Sequence, residues 1–296
     1  MQKSELRHEG VAHPGLDWLR SSEPGRAWLA ALPRLVDECA EQWSLQIGAP
    51  FPYAYASLAL AAKLTEDVDV VLKIQFPDRE SEHEAAALAH WDGDGAVRLL
   101  AHDPERHALL LERCRPGTPL STLEQDAALD VMVGLLPRLW KPAAAPFRAL
   151  ADEAEWWSGY LPSRWERAGR PFERDLLDAA LDALETLPGS QGPQVLLHQD
   201  LHADNVLGAE REPWLVIDPK PLAGEREFGI AALVRGGELG DGKPLVHYRL
   251  ERLSAELNLD RERARGWTLA QTLAWAFEGD DVVPDLVECA RWLLAE

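Results

Sequence analysis

The chain has 296 residues, with 50 Asp and Glu against 30 Lys and Arg and a formal net charge of −20. That length suits one large domain or two lobes with a sizeable core. The charge argues against nucleic acid and anionic membranes, which require basic faces. It fits a small polycationic partner, and it equally fits an acidic surface that serves solubility alone.

Cys39, Cys114 and Cys289 are odd in number and far apart, so they offer neither a disulfide framework nor a Cys-x-x-Cys metal knuckle. The first eight residues lack the apolar core of a signal peptide. No apolar run approaches the roughly 20 residues of a membrane span. A reduced cytoplasmic setting is expected, with the chain a monomer or weak dimer. Most tryptophans are expected in the core, because an indole buries a large area.

Residues 1–25 are polar, broken by Gly10, Pro14, Gly15, Pro24 and Gly25, and read as a loose start. Ser21 and Ser22 can cap a helix over 26–32 that Pro33 interrupts. Leu35, Val36, Cys39, Ala40 and Trp43 recur at helical spacing over 34–43. Gly48, Pro50 and Pro52 then punctuate the chain. Strands are predicted over 53–64 and 69–76, joined by a hairpin turn at 65–68. The second strand places Lys73 among Val70, Val71, Leu72 and Ile74. A lysine buried there needs an anionic partner, whereas a lysine at a solvent-exposed strand edge needs none.

Residues 79–91 read as a helix, with Glu80 and Glu84 sharing a face at i, i+4. A strand lysine followed by a helix glutamate is how kinases place the lysine on the α and β phosphates of ATP. Strands over 96–101 and 107–112 pair across Asp103-Pro104. The segment 113–119 then breaks the chain with Pro116, Gly117 and Pro119. The expected organisation is an N-terminal lobe of helix and antiparallel sheet over 1–111, a hinge over 112–119 and a helical lobe over 120–296. Helices are predicted over 120–140, 147–160 and 171–187, and 188–193 reads as a linker.

The next stretch carries the chemistry. Short apolar runs at 195–197 and 214–217 flank His198-Gln199-Asp200-Leu201-His202-Ala203-Asp204-Asn205, and the second run ends in Asp218-Pro219-Lys220. A polar turn with an Asx cap between two strands would account for part of this pattern. Phosphoryl transfer to a hydroxyl needs a carboxylate near the hydroxyl proton and oxygen ligands for magnesium. The Asp-x-x-x-x-Asn spacing followed by a later Asp supplies them. A carboxylate closing an apolar strand is also poorly solvated unless something binds it.

Past Asp218, Glu225, Glu227, Phe228 and Gly229 lie in a polar loop before a helix that starts at 230. Farther on, Glu278, Asp280 and Asp281 read as the acidic end of a helix, which opposes its macrodipole. A solvated turn and a ligand site both fit this cluster. A final helix is predicted over 284–295.

Together these parts resemble the aminoglycoside phosphotransferases of the protein-kinase-like fold, and within them the aminoglycoside/hydroxyurea resistance kinases that include streptomycin 6-phosphotransferases. The matching residues run from Trp28-Leu-Ala-Ala-Leu-Pro33 through Val71-Leu-Lys73-Ile, Glu84-Ala-Ala-Ala-Leu88, Trp91-Asp-Gly-Asp-Gly95 and Leu109-Leu-Leu-Glu112-Arg-Cys-Arg-Pro-Gly117 to the two loops above. The resemblance implies an α+β fold of two lobes, a small N-terminal antiparallel sheet lobe and a larger helical C-terminal lobe. It implies Asp200 as catalytic carboxylate, Asn205 and Asp218 as Mg2+ ligands, and Lys73, oriented by Glu84, on the phosphates of ATP. Backbone at Glu112 and Cys114 would meet the adenine edge.

Three departures stand out. Gln199 replaces a usual Gly, Ala203-Asp204 replace Pro-Gly, and Phe228-Gly229 replace a Tyr-Asp pair whose Asp helps order the metal loop. No Gly-rich loop precedes Lys73. The function expected is phosphorylation of an aminoglycoside hydroxyl, with streptomycin the first candidate. Glu225, Glu227, Glu278, Asp280 and Asp281, with Trp156 and Trp157, are the candidates to receive its cationic groups. A kinase of hydroxyurea, a sugar or a metabolite is the alternative, as is a non-catalytic nucleotide- or antibiotic-binding protein.

Overall fold

The computed structural model describes residues 13–53, 55–65 and 68–295, which divide between Arg115 and Pro116 into two units. The first is built from α1 (Glu23–Gln42), β1 (Gln46–Pro50), β2 (Ser57–Thr65), β3 (Val68–Gln75), α2 (Glu84–Trp91), β4 (Leu99–Asp103) and β5 (Ala108–Glu112). Ser22 caps α1, its hydroxyl accepting from the Gly25 amide at 3.1 Å. The helix then runs through Pro33 without a break. Trp28, Leu32, Val36 and Cys39 are buried on both sides of the proline. One continuous apolar stripe therefore outweighs the single backbone bond that proline removes.

The sheet has the order β1-β2-β3-β5-β4, with every pair antiparallel. Leu58 and Leu60 of β2 and Leu72 and Ile74 of β3 join the α1 stripe in one core with Leu16 and Leu19. The Trp28 indole N–H donates to the Gln75 carbonyl at 3.0 Å. β1 is an edge strand that sequence reading missed. Its residues are mostly exposed and its pairing to β2 shifts register between Ile47 and Pro50, so it lacks the alternation that signals a strand. β2 starts at Ser57 rather than 53. The first twelve residues, and Glu66 and Asp67 of the expected hairpin turn, lie outside the described residues.

Helix α2 also starts later than expected. The Asp78 carboxylate accepts from the Glu80 and Ser81 amides at 2.9 and 2.7 Å. This Asx turn gives the backbone an alternative to helix, so Glu80 shares no helical face with Glu84.

The second unit holds α3 (Gln125–Leu139), β6 (Arg148–Ala149), α4 (Leu150–Arg167), α5 (Arg174–Thr186), β7 (Val195–Leu197), β8 (Val206–Gly208), β9 (Trp214–Val216), β10 (Leu222–Gly224), α6 (Ala231–Arg235), α7 (Lys243–Glu256), α8 (Arg261–Ala274), β11 (Phe277–Glu278), β12 (Asp281–Val282) and α9 (Pro284–Leu294). The helices expected over 120–140, 147–160, 171–187 and 284–295 appear as α3, α4, α5 and α9 with their ends displaced, α4 running on to Arg167, and the helix expected from 230 is the short α6. α8 lies at its centre, packed by α4, α5, α6, α7 and α9. The Thr268 and Thr272 hydroxyls donate to the carbonyls of Ala264 and Thr268 at 2.7 and 2.6 Å, which lets a helix with polar residues be buried nearly all round.

The apolar runs beside the His198–Asn205 motif do form strands, but they do not pair with each other. β7 pairs with β10, and β8 pairs with β9. β8 and β10, three residues each, had escaped the sequence reading. Glu278 and Asp281 sit opposite each other in the β11–β12 hairpin, so no helix end carries the acidic cluster and the expected conflict with a macrodipole does not arise. Among the described residues, no helix is long and apolar enough to cross a membrane.

β10 runs close beneath α4. A Cβ on Gly224 would stand 2.6 Å from Leu150 Cβ and 2.8 Å from Leu197 Cδ1. Gly224→Ala is expected to lower stability by about 1–3 kcal/mol through overpacking, read as a fall in the urea midpoint of unfolding. An unchanged midpoint would mean that β10 moves away at no cost.

Candidate active site

In the first unit, the pleat of β3 turns Val70, Leu72 and Ile74 into the core and Lys73 to the opposite face, where it is still only 6% exposed. Its ammonium donates to both Glu84 oxygens, at 2.8 and 2.6 Å, and the Gln75 amide donates to the same carboxylate at 2.7 Å. Glu84 is 1% exposed. Two opposite charges are thus buried together, and removing either would strand the other at a cost of roughly 3–5 kcal/mol. Glu112 ends β5 opposite Val70, and Cys114, two residues on, is buried.

In the second unit, Asp200 lies on the loop between β7 and β8, and Asp218 on the loop between β9 and β10. Backbone bonds lock the two loops together. The Lys220 amide donates to the His198 carbonyl at 2.9 Å, and the Ile217 amide to the Asn205 carbonyl at 2.9 Å. His198 Nε2 lies 2.8 Å from the Ile217 carbonyl oxygen, so that nitrogen carries the proton of the neutral ring. Burial pushes the imidazole down to about 4, partly offset by this bond.

Asn205 is buried, and its amide nitrogen donates to the Asp200 carbonyl at 2.9 Å. Its side-chain oxygen is therefore the atom suited to a metal. Asp218 has a left-handed backbone with φ 57°. An amide oxygen and a carboxylate are hard donors that fit Mg2+, an ion that keeps several water and phosphate ligands of its own. Among the described residues, no group of three His, Cys, Asp or Glu side chains could hold a metal alone.

The Asp200 carboxylate is flanked by two cations. Lys220 Nζ donates to Oδ2 at 2.9 Å, and Arg235 Nη2 lies 3.7 Å from Oδ1. Both cations stand over the ring of Trp275, the ammonium 4.9 Å and the guanidinium 4.6 Å from its centroid. Arg235 also donates to Gln271 Oε1 at 2.7 Å, and Gln271 Nε2 donates to the Gln199 carbonyl at 2.9 Å. Sequence reasoning assigned no role to Lys220, Arg235, Gln271 or Trp275. Their available signal was the spacing of Trp267, Gln271 and Trp275, one face of a helix at i, i+4 and i+8.

The unusual residues of the loops find physical explanations here. Gln199 has φ 65°, a left-handed conformation that glycine adopts without strain, which accounts for the Gly usual at this position. Phe228 is buried between Trp157 and Trp267, with ring centroids 6.1 and 5.7 Å away. A Cβ on Gly229 would lie 2.7 Å from Trp140 Nε1. Aromatic packing, rather than an Asp side chain, orders this loop.

The residues expected to receive cations separate into two groups. Glu225 is 2% exposed and is occupied by the protein itself. It accepts from Arg263 Nη2 at 2.6 Å, from the Trp267 indole N–H and from the Gly192 amide at 3.3 Å. It is therefore a structural anchor between β10 and α8, and the expectation that it binds a ligand is corrected. Trp157 is buried as well. Glu227 is half-buried and accepts from the Asp260 amide at 3.4 Å. Glu278, Asp280 and Asp281 are exposed. Their hairpin begins at Phe277, which meets Tyr160 edge-on, and Tyr160 stacks on the half-exposed Trp156 at 4.9 Å.

Comparison with known proteins places this geometry in context. Residues 42–281 match the family model described as aminoglycoside/hydroxyurea antibiotic resistance kinase. The chain is 41% identical to a streptomycin 6-kinase of Streptomyces griseus over 85% of its own length and 84% of that protein's. It is 42% identical to a hydroxyurea phosphotransferase of Kitasatospora aureofaciens over 87% of its length and 77% of that protein's. Its fold is similar to that of a thermostable mutant of the aminoglycoside phosphotransferase APH(4)-Ia, solved with ADP and hygromycin B. That likeness has a TM-score of 0.62 at 12% identity and covers 88% of this chain and 96% of the other. The architecture is thus α+β and protein-kinase-like, with an N-terminal antiparallel sheet and a helical C-terminal part.

His198 makes a pH prediction. Its folded pKa lies below the ordinary histidine value near 6.5, so between those values the unfolded chain binds the extra proton and stability falls as pH drops. Wild type is expected to lose on the order of 3 kcal/mol between pH 7 and pH 4 that His198→Gln does not lose. Urea unfolding of both chains across that range measures it, and parallel curves would remove His198 as the source.

Proposed function

The chain belongs to the aminoglycoside/hydroxyurea antibiotic resistance kinase family, and from that premise we propose that it transfers the γ-phosphoryl group of ATP to a hydroxyl of an aminoglycoside, streptomycin first among them. The activity class, a phosphotransferase acting on a hydroxyl, comes with the family. The observation that supports the roles is the Asp200–Asn205 bond at 2.9 Å. It runs from the Asn205 side-chain amide to the Asp200 backbone carbonyl, so it ties the two residues together on one short loop and leaves the Asn205 amide oxygen as the atom suited to a metal.

In this reading Asp200 orients the acceptor hydroxyl and takes its proton as the oxygen bonds to the γ-phosphorus and the bond to the ADP oxygen breaks. The loose transition state demands positioning and charge neutralisation more than a strong base. Asn205 and Asp218 hold Mg2+, which when bound neutralises charge on the phosphate oxygens. Lys73, kept extended by Glu84, binds the α and β phosphates, and backbone at Glu112 and Cys114 meets the adenine. The exposed acidic hairpin at Glu278 and Asp281, beside the Trp156–Tyr160 stack, offers charge pairing and a π face to guanidinium groups. These features favour a polycationic acceptor over hydroxyurea. The reaction belongs in the cytoplasm, where ATP is abundant.

Asp200→Asn is expected to lower kcat roughly 10²–10⁴-fold while ATP still binds; turnover at the wild-type rate would dismiss Asp200 as the catalytic carboxylate. Lys73→Ala is expected to lower kcat/KM for ATP by at least about tenfold, and unaltered kinetics would exclude the lysine. An acceptor panel of streptomycin, other aminoglycosides and hydroxyurea, scored by ADP release with magnesium, tests the substrate. Release with hydroxyurea alone would replace the aminoglycoside assignment.

A further inference from the structure

The reading of Asp200 as the catalytic carboxylate leaves open what keeps that side chain in place. Its loop is short, and the residue before it holds a left-handed backbone. Packing cannot fix a carboxylate the way it fixes a leucine, because water competes for every oxygen. What surrounds Asp200 instead is Lys220 at 2.9 Å and Arg235 at 3.7 Å. The side chains of all three are largely shielded, with 14%, 23% and 9% exposed for Asp200, Lys220 and Arg235.

Two cations converging on one carboxylate repel each other, and each side chain has several rotatable bonds. Something must hold both. Arg235 has a second tether, its bond to Gln271. The group common to both cations is the half-buried indole of Trp275, the residue that caps the C-terminus of α8. The negative face of an indole attracts cations, more strongly where water is partly excluded. The carbonyl end of α8 lies at the same position and carries the negative pole of the helix dipole.

We infer that Trp275 is a positioning residue for phosphoryl transfer: its ring holds Lys220 and Arg235 as a clamp that fixes the Asp200 carboxylate toward the acceptor hydroxyl. In this arrangement the Trp275 ring meets the two cations. It acts on the orientation of Asp200, and so on kcat rather than on ATP binding. The inference rests on the assignment of Asp200 as the catalytic carboxylate.

The test compares Trp275→Leu, which is apolar but has no π face, with Trp275→Phe, which keeps a π face; both side chains are smaller than tryptophan. Steady-state kinetics use the full chain with ATP, magnesium and streptomycin. If the clamp operates, Trp275→Leu lowers kcat about tenfold or more with the KM for ATP within about twofold, and Trp275→Phe recovers most of that loss. Equal kcat in the Leu and Phe variants overturns the inference, because the π face retained by phenylalanine would then contribute nothing. Should Trp275→Leu fail to fold, as judged by thermal unfolding, Lys220→Met reads the same clamp from a more exposed side chain. A wild-type kcat there overturns the proposal. Asp200→Asn runs alongside: wild-type turnover in that variant brings down the underlying catalytic assignment, whereas an inactive Asp200→Asn with a normal Trp275→Leu brings down the clamp alone.

Discussion

The carboxylate of Asp200 lies between an ammonium and a guanidinium that stand over one indole, and much of the second unit is arranged to keep those groups in place. The arrangement is organised by a single face of α8. Trp267 binds Glu225 at the exit of β10, Gln271 binds both Arg235 and the carbonyl of Gln199, and Trp275 carries the two cations. These three residues are spaced by four, so a rigid helical rise sets the separation of the loops they hold. A buried helix can present such polar groups only if each is satisfied. Gln271, wholly buried, meets that demand by bonding two partners that belong to the site.

The first unit solves a related problem with fewer parts. Lys73 emerges from the middle of a strand on the face away from the main core, where an unpaired ammonium would be costly. Glu84, at the first turn of α2, and Gln75, two residues along the same strand face, close the network. The ammonium is thereby fixed against the Glu84 carboxylate. Lys73 with Glu84 in the first unit and Glu225 with Arg263 in the second each place a buried charge where an opposite charge meets it.

The departures from the family pattern follow the same logic of compensation. A left-handed φ at Gln199 is unfavourable for a residue with a side chain, yet the Gln271 bond to its carbonyl holds the backbone there. At Gly229 the space a side chain would need is taken by Trp140. The loop after Asp218 is secured by the Phe228 contacts to Trp157 and Trp267 and by the anchor of Glu225 on Arg263. An altered residue in a loop therefore says little about its order until its neighbours are known.

Local chemistry was legible in the order of residues. The apolar runs of β2 and β3 and the helical spacing on either side of Pro33 are properties of short stretches that marked those elements, and the Asp-x-x-x-x-Asn spacing with the later Asp218 marked the candidate site. A buried lysine also announced its need for a partner. Tertiary structure decided the rest, because it depends on residues far apart in the chain. Whether Pro33 ends a helix was settled by the apolar stripe continuing beyond it, and whether Asp78 starts one by two backbone amides that its side chain captures. The carboxylates of Glu225 and Glu278 are alike as sequence. One is buried against Arg263 and Trp267, and the other stands exposed on a hairpin. The cations on Asp200 come from positions 220 and 235 and their shared ring from position 275, and only the folding of α6, α8 and the loop after β9 around one another brings those charges within a few ångströms, where electrostatic attraction becomes strong enough to orient a side chain.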